Sequence, residues 1–425
     1  MGRVLGQEYE PGMRRLVVLA ALALSALVVP TTASHAAGTT VLDATYTSVA
    51  NGWVKVERYH DTDANFPTEA YPPDGRGNQE GQRLTFFGGV LRPRSNQFLL
   101  YHAPHWQTGI KATPVLLVHG ANDNADREWA NPNETPSGCG QTSCPSTGLM
   151  QYLDSAGYKV FAINFPHKQG DNLVQAQLVS DAIGVIKSKL GVAKVDLIGW
   201  SKGGFPVRAY VSSVKPTWGR IYQGDVRKVI LIGNANNGLD YAWRHGAPGA
   251  ILIYPECGGS LNGPAAVSTY MCYSVLYDHP ELSYTGTGAN NTYPGQRQML
   301  KRWDATYGLD TSTQDYYTVY YGGWGYTSYS PGIQAAINQG SLVDTIRNAG
   351  IPSTVTTYLL CGGNPSLPYV YNENTGPSDG LVFRASCEDH VGIAGWAGTT
   401  TFLSDNHLQL GWGSGESAQI VTWLG

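Results

Sequence analysis

Charge is scarce in this chain: Asp, Glu, Lys and Arg make up 14% of its 425 residues, against about 25% in ordinary soluble domains. With a formal net charge of −4 and no block of five or six basic residues, nucleic acid is excluded as an expected partner. There is no Cys-x-x-Cys pair and no two histidines stand at metal-ligand spacing, so no metal centre is indicated. No apolar run reaches the about 20 residues that a membrane-spanning helix needs. Internal repeats and sustained polar tracts are missing too. With 42% hydrophobic residues the chain can bury a large core, which excludes general disorder.

What is abundant is glycine (52), proline (24), tyrosine (26) and tryptophan (11). These point to many turns, long ordered loops and amphipathic aromatic rings. Arg14 and Arg15 precede the apolar run Leu16 to Val29, and small residues follow it through Ala36 and Ala37. That order predicts a secretory signal peptide over residues 1–36, cleaved near Ala36 or Ala37, and hence an extracellular protein. All six cysteines lie beyond it, and in an exported chain an even count predicts disulfides. Close spacing favours Cys139 with Cys144, Cys257 with Cys272, and Cys361 with Cys387.

Residues 37–110 read as a β-rich extension packed on the core, with short alternating runs at Trp53 to Tyr59, Leu84 to Leu91 and Gln97 to His102. From about residue 111 the pattern changes to compact apolar runs at 114–118, 159–163, 194–198 and 228–232, with helical periodicity between them, clearest at Leu173 to Leu190. Such runs are strands of a parallel sheet buried on both faces, so the class is α/β with right-handed crossovers. Regular alternation stops over about 235–341, a Gly- and aromatic-rich insertion expected to carry local structure and to cap a substrate pocket. It then resumes, with a helix about Ser341 to Ala349 and strands at Thr354 to Leu360 and Thr399 to Leu403.

The chemistry centres on Gly199-Trp200-Ser201-Lys202-Gly203, directly after an apolar strand and before a helix expected over Phe205 to Val214. Glycine is so common here that the bare pattern says little. Its setting says more, because a nucleophile elbow needs a strand ending in a sharp turn, small residues on either side of the serine, and a helix N-terminus aimed at the site. A serine hydroxyl is a poor nucleophile at neutral pH, so a histidine must take its proton and an acid must orient that histidine. In the expected chain order of Ser, acid, His, the acid is Asp379 and the base is His407. Rivals are Glu388-Asp389-His390 for either role and Asp240 for the acid; Asp405 reads as a turn residue. An oxyanion hole needs two backbone N–H groups, here those of Lys202 and Ala121. His119 is read as orienting its loop, and the Lys202 side chain as facing solvent or packing over the site without chemical role.

Val118-His119-Gly120-Ala121, Gly199-Trp200-Ser201-Lys202-Gly203, Ser378-Asp379-Gly380-Leu381-Val382 and Asn406-His407-Leu408 together resemble the secreted bacterial lipases of the α/β-hydrolase superfamily. The likeness covers about Thr113 to the C-terminus apart from the insertion, and Trp200 stands where those lipases usually have histidine. The loop His119 to Ala125 also resembles that of a lipase-like extracellular polyhydroxybutyrate depolymerase. The resemblance implies an α/β-hydrolase fold, with a mostly parallel sheet flanked by helices, and hydrolysis of carboxylic esters through an acyl-enzyme without a cofactor. An ester substrate is the expected partner, with emulsified lipid, a polymer surface and a small soluble ester all open, and a monomer is the expected form. A polyester depolymerase and a non-catalytic surface-binding protein on a hydrolase scaffold are the alternatives.

Overall fold

The structure is a computed structural model. It describes residues 39–69, 82–90, 92–121, 123–134, 139, 143–244, 294–309, 311, 316–324, 329–330, 332–368 and 372–425. The expected signal segment and the Cys257–Cys272 pair lie outside these residues.

A nine-stranded sheet forms the centre. In chain order its strands are β1 (Thr40–Tyr46), β2 (Lys55–Asp61), β3 (Gln97–His102), β4 (Val115–Val118), β5 (Val160–Asn164), β6 (Val195–Trp200), β7 (Val226–Ile232), β10 (Thr356–Gly362) and β11 (Trp396–Phe402). A separate two-stranded ladder pairs β8 (Gly323–Trp324) with β9 (Tyr329–Ser330). Across the large sheet the order is β1-β2-β3-β5-β4-β6-β7-β10-β11. The six strands from β5 to β11 run parallel, whereas β1, β2 and β3 add to one edge in antiparallel fashion.

Strands β4, β5 and β6 are buried at every residue, as the continuous apolar runs require of strands covered on both faces. One core layer packs Leu178, Val179, Ile183, Val207 and Val211 against Leu116, Leu197 and Val229. The opposite layer joins Trp53, Trp129, Leu149, Leu153, Trp423 and Leu424 to Leu117, Ile198 and Ile230. The first layer uses helix α3 (Asn172–Leu190) and helix α4 (Gly204–Val211). Asp171 caps α3 by accepting from the amides of Leu173 and Val174, and Gly191, at φ 65°, ends it, the left-handed stop that glycine makes without strain. The second layer uses helix α2 (Leu149–Ser155) and the terminal helix Ser414–Leu424.

Two expectations change. The strands of residues 40–102 are not laid on the core as an extension; they continue its sheet, because β3 pairs with β5 from Leu99 opposite Asn164 to His102 opposite Phe161. The alternation expected from Leu84 onward begins instead as a helical turn, α1 (Arg83–Phe86). Adjacent Phe86 and Phe87 are both buried, and the Arg83 guanidinium donates to the carbonyls of Phe165 and Pro166, contacts that a period-two reading does not anticipate.

The topology decides where a site can form. From β4 the chain moves to β5 on one side, then crosses to β6 on the other. Strand order thus reverses between β4 and β6, and a crevice opens at the carboxyl ends of strands at such a switch point. Among the described residues no helix is long and apolar enough to cross a membrane.

Candidate active site

Ser201 begins directly where β6 ends and opens a short 3₁₀ turn, Ser201–Gly203, that runs into α4. Its φ is +50°, a left-handed conformation costing a non-glycine residue about 1–3 kcal/mol. The turn is tight enough to exclude side chains at both flanking positions. A Cβ on Gly199 would lie 2.8 Å from Gly204 Cα, and one on Gly203 only 2.4 Å from the carbonyl oxygens of Val118 and His119. The two glycines of the motif are therefore steric requirements of the elbow.

Beyond the ends of β10 and β11 stand Asp379 and His407, each 1% exposed. His407 Nδ1 lies 2.8 Å from Asp379 Oδ2, and the His407 amide donates to the Asp379 carbonyl at 2.8 Å. The other carboxylate oxygen, Oδ1, accepts from the amides of Val382 at 2.8 Å and Leu381 at 3.1 Å. Both acid oxygens are thus engaged, which fixes the carboxylate plane and turns Nδ1–H of the imidazole toward it. The Cys361–Cys387 disulfide, from β10 to the helical turn Arg384–Cys387, closes the segment that carries Asp379. The expected Cys139–Cys144 pair is also bonded.

Ser201, Lys202, Ala121 and His407 line one cleft of about 720 Å³, mouth included, together with Trp200, Gln169, Gln296, Leu239 and Met299. The Ser201 hydroxyl makes no hydrogen bond to His407 among the described contacts, a bond that often tightens only as substrate enters such a site. Ala121 and Lys202 come from loops after neighbouring strands, Val118 pairing with Gly199 in the ladder, so their backbones reach the cleft together. The loop after β4 is held firmly. Asn124 Oδ1 accepts from the amides of Asp126 and Arg127, Asn164 Oδ1 accepts from the Ala125 amide at 2.6 Å, and Arg127 pairs with Asp123.

His119 sits in that loop, 1% exposed, with burial pushing its pKa down to about 3. Its Nε2 accepts from the Phe165 amide at 3.2 Å, which leaves Nδ1–H to donate to the Gly120 carbonyl at 2.8 Å. A neutral imidazole bonded on both nitrogens orients a loop.

The rival residues lie elsewhere. His390 stacks on the Trp396 ring at 4.0 Å and is exposed, Asp389 pairs with Arg347 at 2.8 Å, and Glu388 accepts from the Thr401 hydroxyl. Asp240 is buried, but Arg244 holds it at 2.8 Å and 3.0 Å, and the Tyr320 hydroxyl donates to it at 2.6 Å. Asp405 gives its carbonyl to the amides of Gly363 and Asn364.

Three features escape the sequence. Trp200 braces the candidate base: its ring lies 5.2 Å from the His407 ring and its Nε1 donates to the His407 carbonyl at 3.3 Å. The Lys202 side chain does not face solvent; it is 2% exposed and donates to Gln175 Oε1, and burial pushes its pKa down to about 7 against the opposing pull of Glu69 and Asp171. The insertion does supply a cleft wall, through Ala235, Leu239, Tyr241, Gln296 and Met299. Two of its described aromatic rings, Trp303 and Tyr307, pack instead against Phe383 at 5.6 Å and 4.4 Å. Among the described residues no group of three or more His, Cys, Asp or Glu converges as a metal ion would need.

No family model and no curated protein matches the chain. Among solved structures it is similar to a lipase from Bacillus licheniformis in its mature form, at 14% identity over 73% of this chain and 91% of that one, with a TM-score of 0.40. An esterase from Rhodococcus sp. aligns at 14% identity, covering 77% and 96%, with a TM-score of 0.37. A carboxylesterase from Bacillus subtilis aligns at 12%, covering 77% and 87%, also at 0.37. Likenesses this loose decide nothing about the chemistry, which rests on the residues at this chain's own strand ends.

Proposed function

We propose that the chain is a secreted carboxylic ester hydrolase of the lipase or esterase kind, with Ser201 as nucleophile, His407 as general base and acid, and Asp379 as the carboxylate that orients His407. The observation that carries this reading is the buried Asp379–His407 hydrogen bond facing the same cleft as a serine held at positive φ on a strand-to-helix elbow. With Nδ1–H committed to Asp379, Nε2 is the unprotonated nitrogen that takes the Ser201 proton as Oγ attacks the ester carbonyl. Negative charge then grows on the carbonyl oxygen, where the amides of Lys202 and Ala121 stabilise it. The imidazolium returns its proton to the departing alcohol, leaving an acyl-serine. Water, deprotonated by the same nitrogen, releases the acid and restores the serine.

The test is covalent and kinetic together. A fluorophosphonate should label Ser201, and Ser201→Ala should abolish labelling and lower kcat by about 10⁶-fold. Folded protein that resists the label, or a Ser201→Ala variant with near wild-type turnover of short soluble esters, would overturn the reading and favour a binding protein on this scaffold.

A further inference from the structure

The cleft lining is chemically mixed. Leu239, Met299, Leu381 and Val382 give it apolar surface. Gln169, Gln296 and Lys202, all less than a tenth exposed, give it a polar stretch of wall. Gln296 Nε2 donates to Gln169 Oε1, and Lys202 Nζ donates to Gln175 Oε1, whose own Nε2 donates to the His167 carbonyl. Gln169 Nε2 is buried and has no hydrogen-bond partner among the described residues. A primary amide brings two donors on that nitrogen, so this wall offers N–H groups that no acceptor among the described residues meets.

A buried donor left unmade costs as much as its lost hydration, and the cost is relieved by whatever brings an acceptor to it. We infer that the Gln169–Lys202 wall selects esters carrying a second, uncharged oxygen acceptor, such as another ester carbonyl, a few atoms from the scissile bond. The inference rests on Ser201 being the nucleophile and adds the substrate class. An uncharged acceptor is favoured over a carboxylate for two reasons. Glu69 and Asp171 already act on Lys202, so an incoming anion meets two like charges; and the apolar side chains that line the same cleft suit an uncharged chain. Gln169 is then a specificity residue: it holds the substrate and transfers no proton.

Three p-nitrophenyl esters that share a leaving group test this: the heptanoate, the monomethyl glutarate of equal chain length, and the hemiglutarate with its free carboxylate. The quantity to read is the ratio of kcat/KM for the monomethyl glutarate to that for the heptanoate, in which a general loss of activity from disturbed packing cancels. The wild-type ratio should be about tenfold in favour of the second ester, the worth of one hydrogen bond made only by that substrate. Gln169→Leu should bring it close to one and Lys202→Met should lower it several-fold. A wild-type ratio near one, or an unchanged ratio in folded Gln169→Leu, overturns the inference. So does a hemiglutarate preferred over its methyl ester, which would mean that Lys202 reads an anion. These failures leave fluorophosphonate labelling of Ser201 intact; absence of labelling and of all hydrolysis would instead bring down the hydrolase reading and this inference with it.

Discussion

Two buried carboxylates stand beyond the ends of neighbouring parallel strands, Asp240 after β7 and Asp379 after β10, and both are plausible acids by sequence position. Their partners differ. Asp240 meets the Arg244 guanidinium through two hydrogen bonds, with Glu373 3.4 Å from the same guanidinium and the Tyr320 hydroxyl on Asp240 Oδ2. Asp379 meets one imidazole nitrogen and two backbone amides. Arginine keeps its proton at any working pH, so Asp240 is matched to a permanent charge. An imidazole can accept and return a proton within a reaction, so Asp379 is matched to a group whose charge can change. The same residue type is structural in one place and suited to catalysis in the other because of what it faces.

That contrast can be broken by substitution. Asp379→Asn keeps the shape but cannot hold Nδ1–H in place, and should lower kcat by about 10⁴-fold with a small change in thermal midpoint. Steady-state kinetics beside thermal melts of the same samples would show it. Asp240→Asn should do the reverse, leaving Arg244 buried and undercompensated at a cost of about 3–5 kcal/mol in stability, measured by urea unfolding, while the protein that remains folded keeps most of its turnover. If Asp240→Asn were the one to lose four orders of magnitude, the acid would belong after β7. The smallest effect is expected at His390→Ala, within about twofold of wild type in kcat, because that ring stacks on Trp396 away from the cleft and surface changes of this kind are nearly neutral.

The parallel strands were readable because burial on both faces leaves an unmistakable mark, a short run of Val, Ile and Leu such as 115–118 or 195–198. Ser201 was readable because the elbow has steric needs that only glycine meets at 199 and 203. The antiparallel edge was less clear, since strands half-covered by neighbours carry mixed patterns, and β1 gives little signal with most of its residues exposed. The turn at Arg83–Phe86 was misread because its residues answer to carbonyls about 80 positions away. In the cleft, the burial of Lys202 was invisible for a similar reason: Gln175 and Gly295, which close around its side chain, lie far from it in the chain.

Sequence by itself determined what must be local: strand composition and the glycines of a strained turn. Tertiary structure decided everything that depends on a partner. It set Asp379 on His407 and Asp240 on Arg244, laid the Trp200 ring against His407, and left a buried amide nitrogen of Gln169 without an acceptor among the described residues. The physical reason is range. A steric or propensity constraint acts over a few residues, whereas the proton affinity of a group and its unmet hydrogen bonds depend on whichever distant segments the sheet brings within about 3 Å.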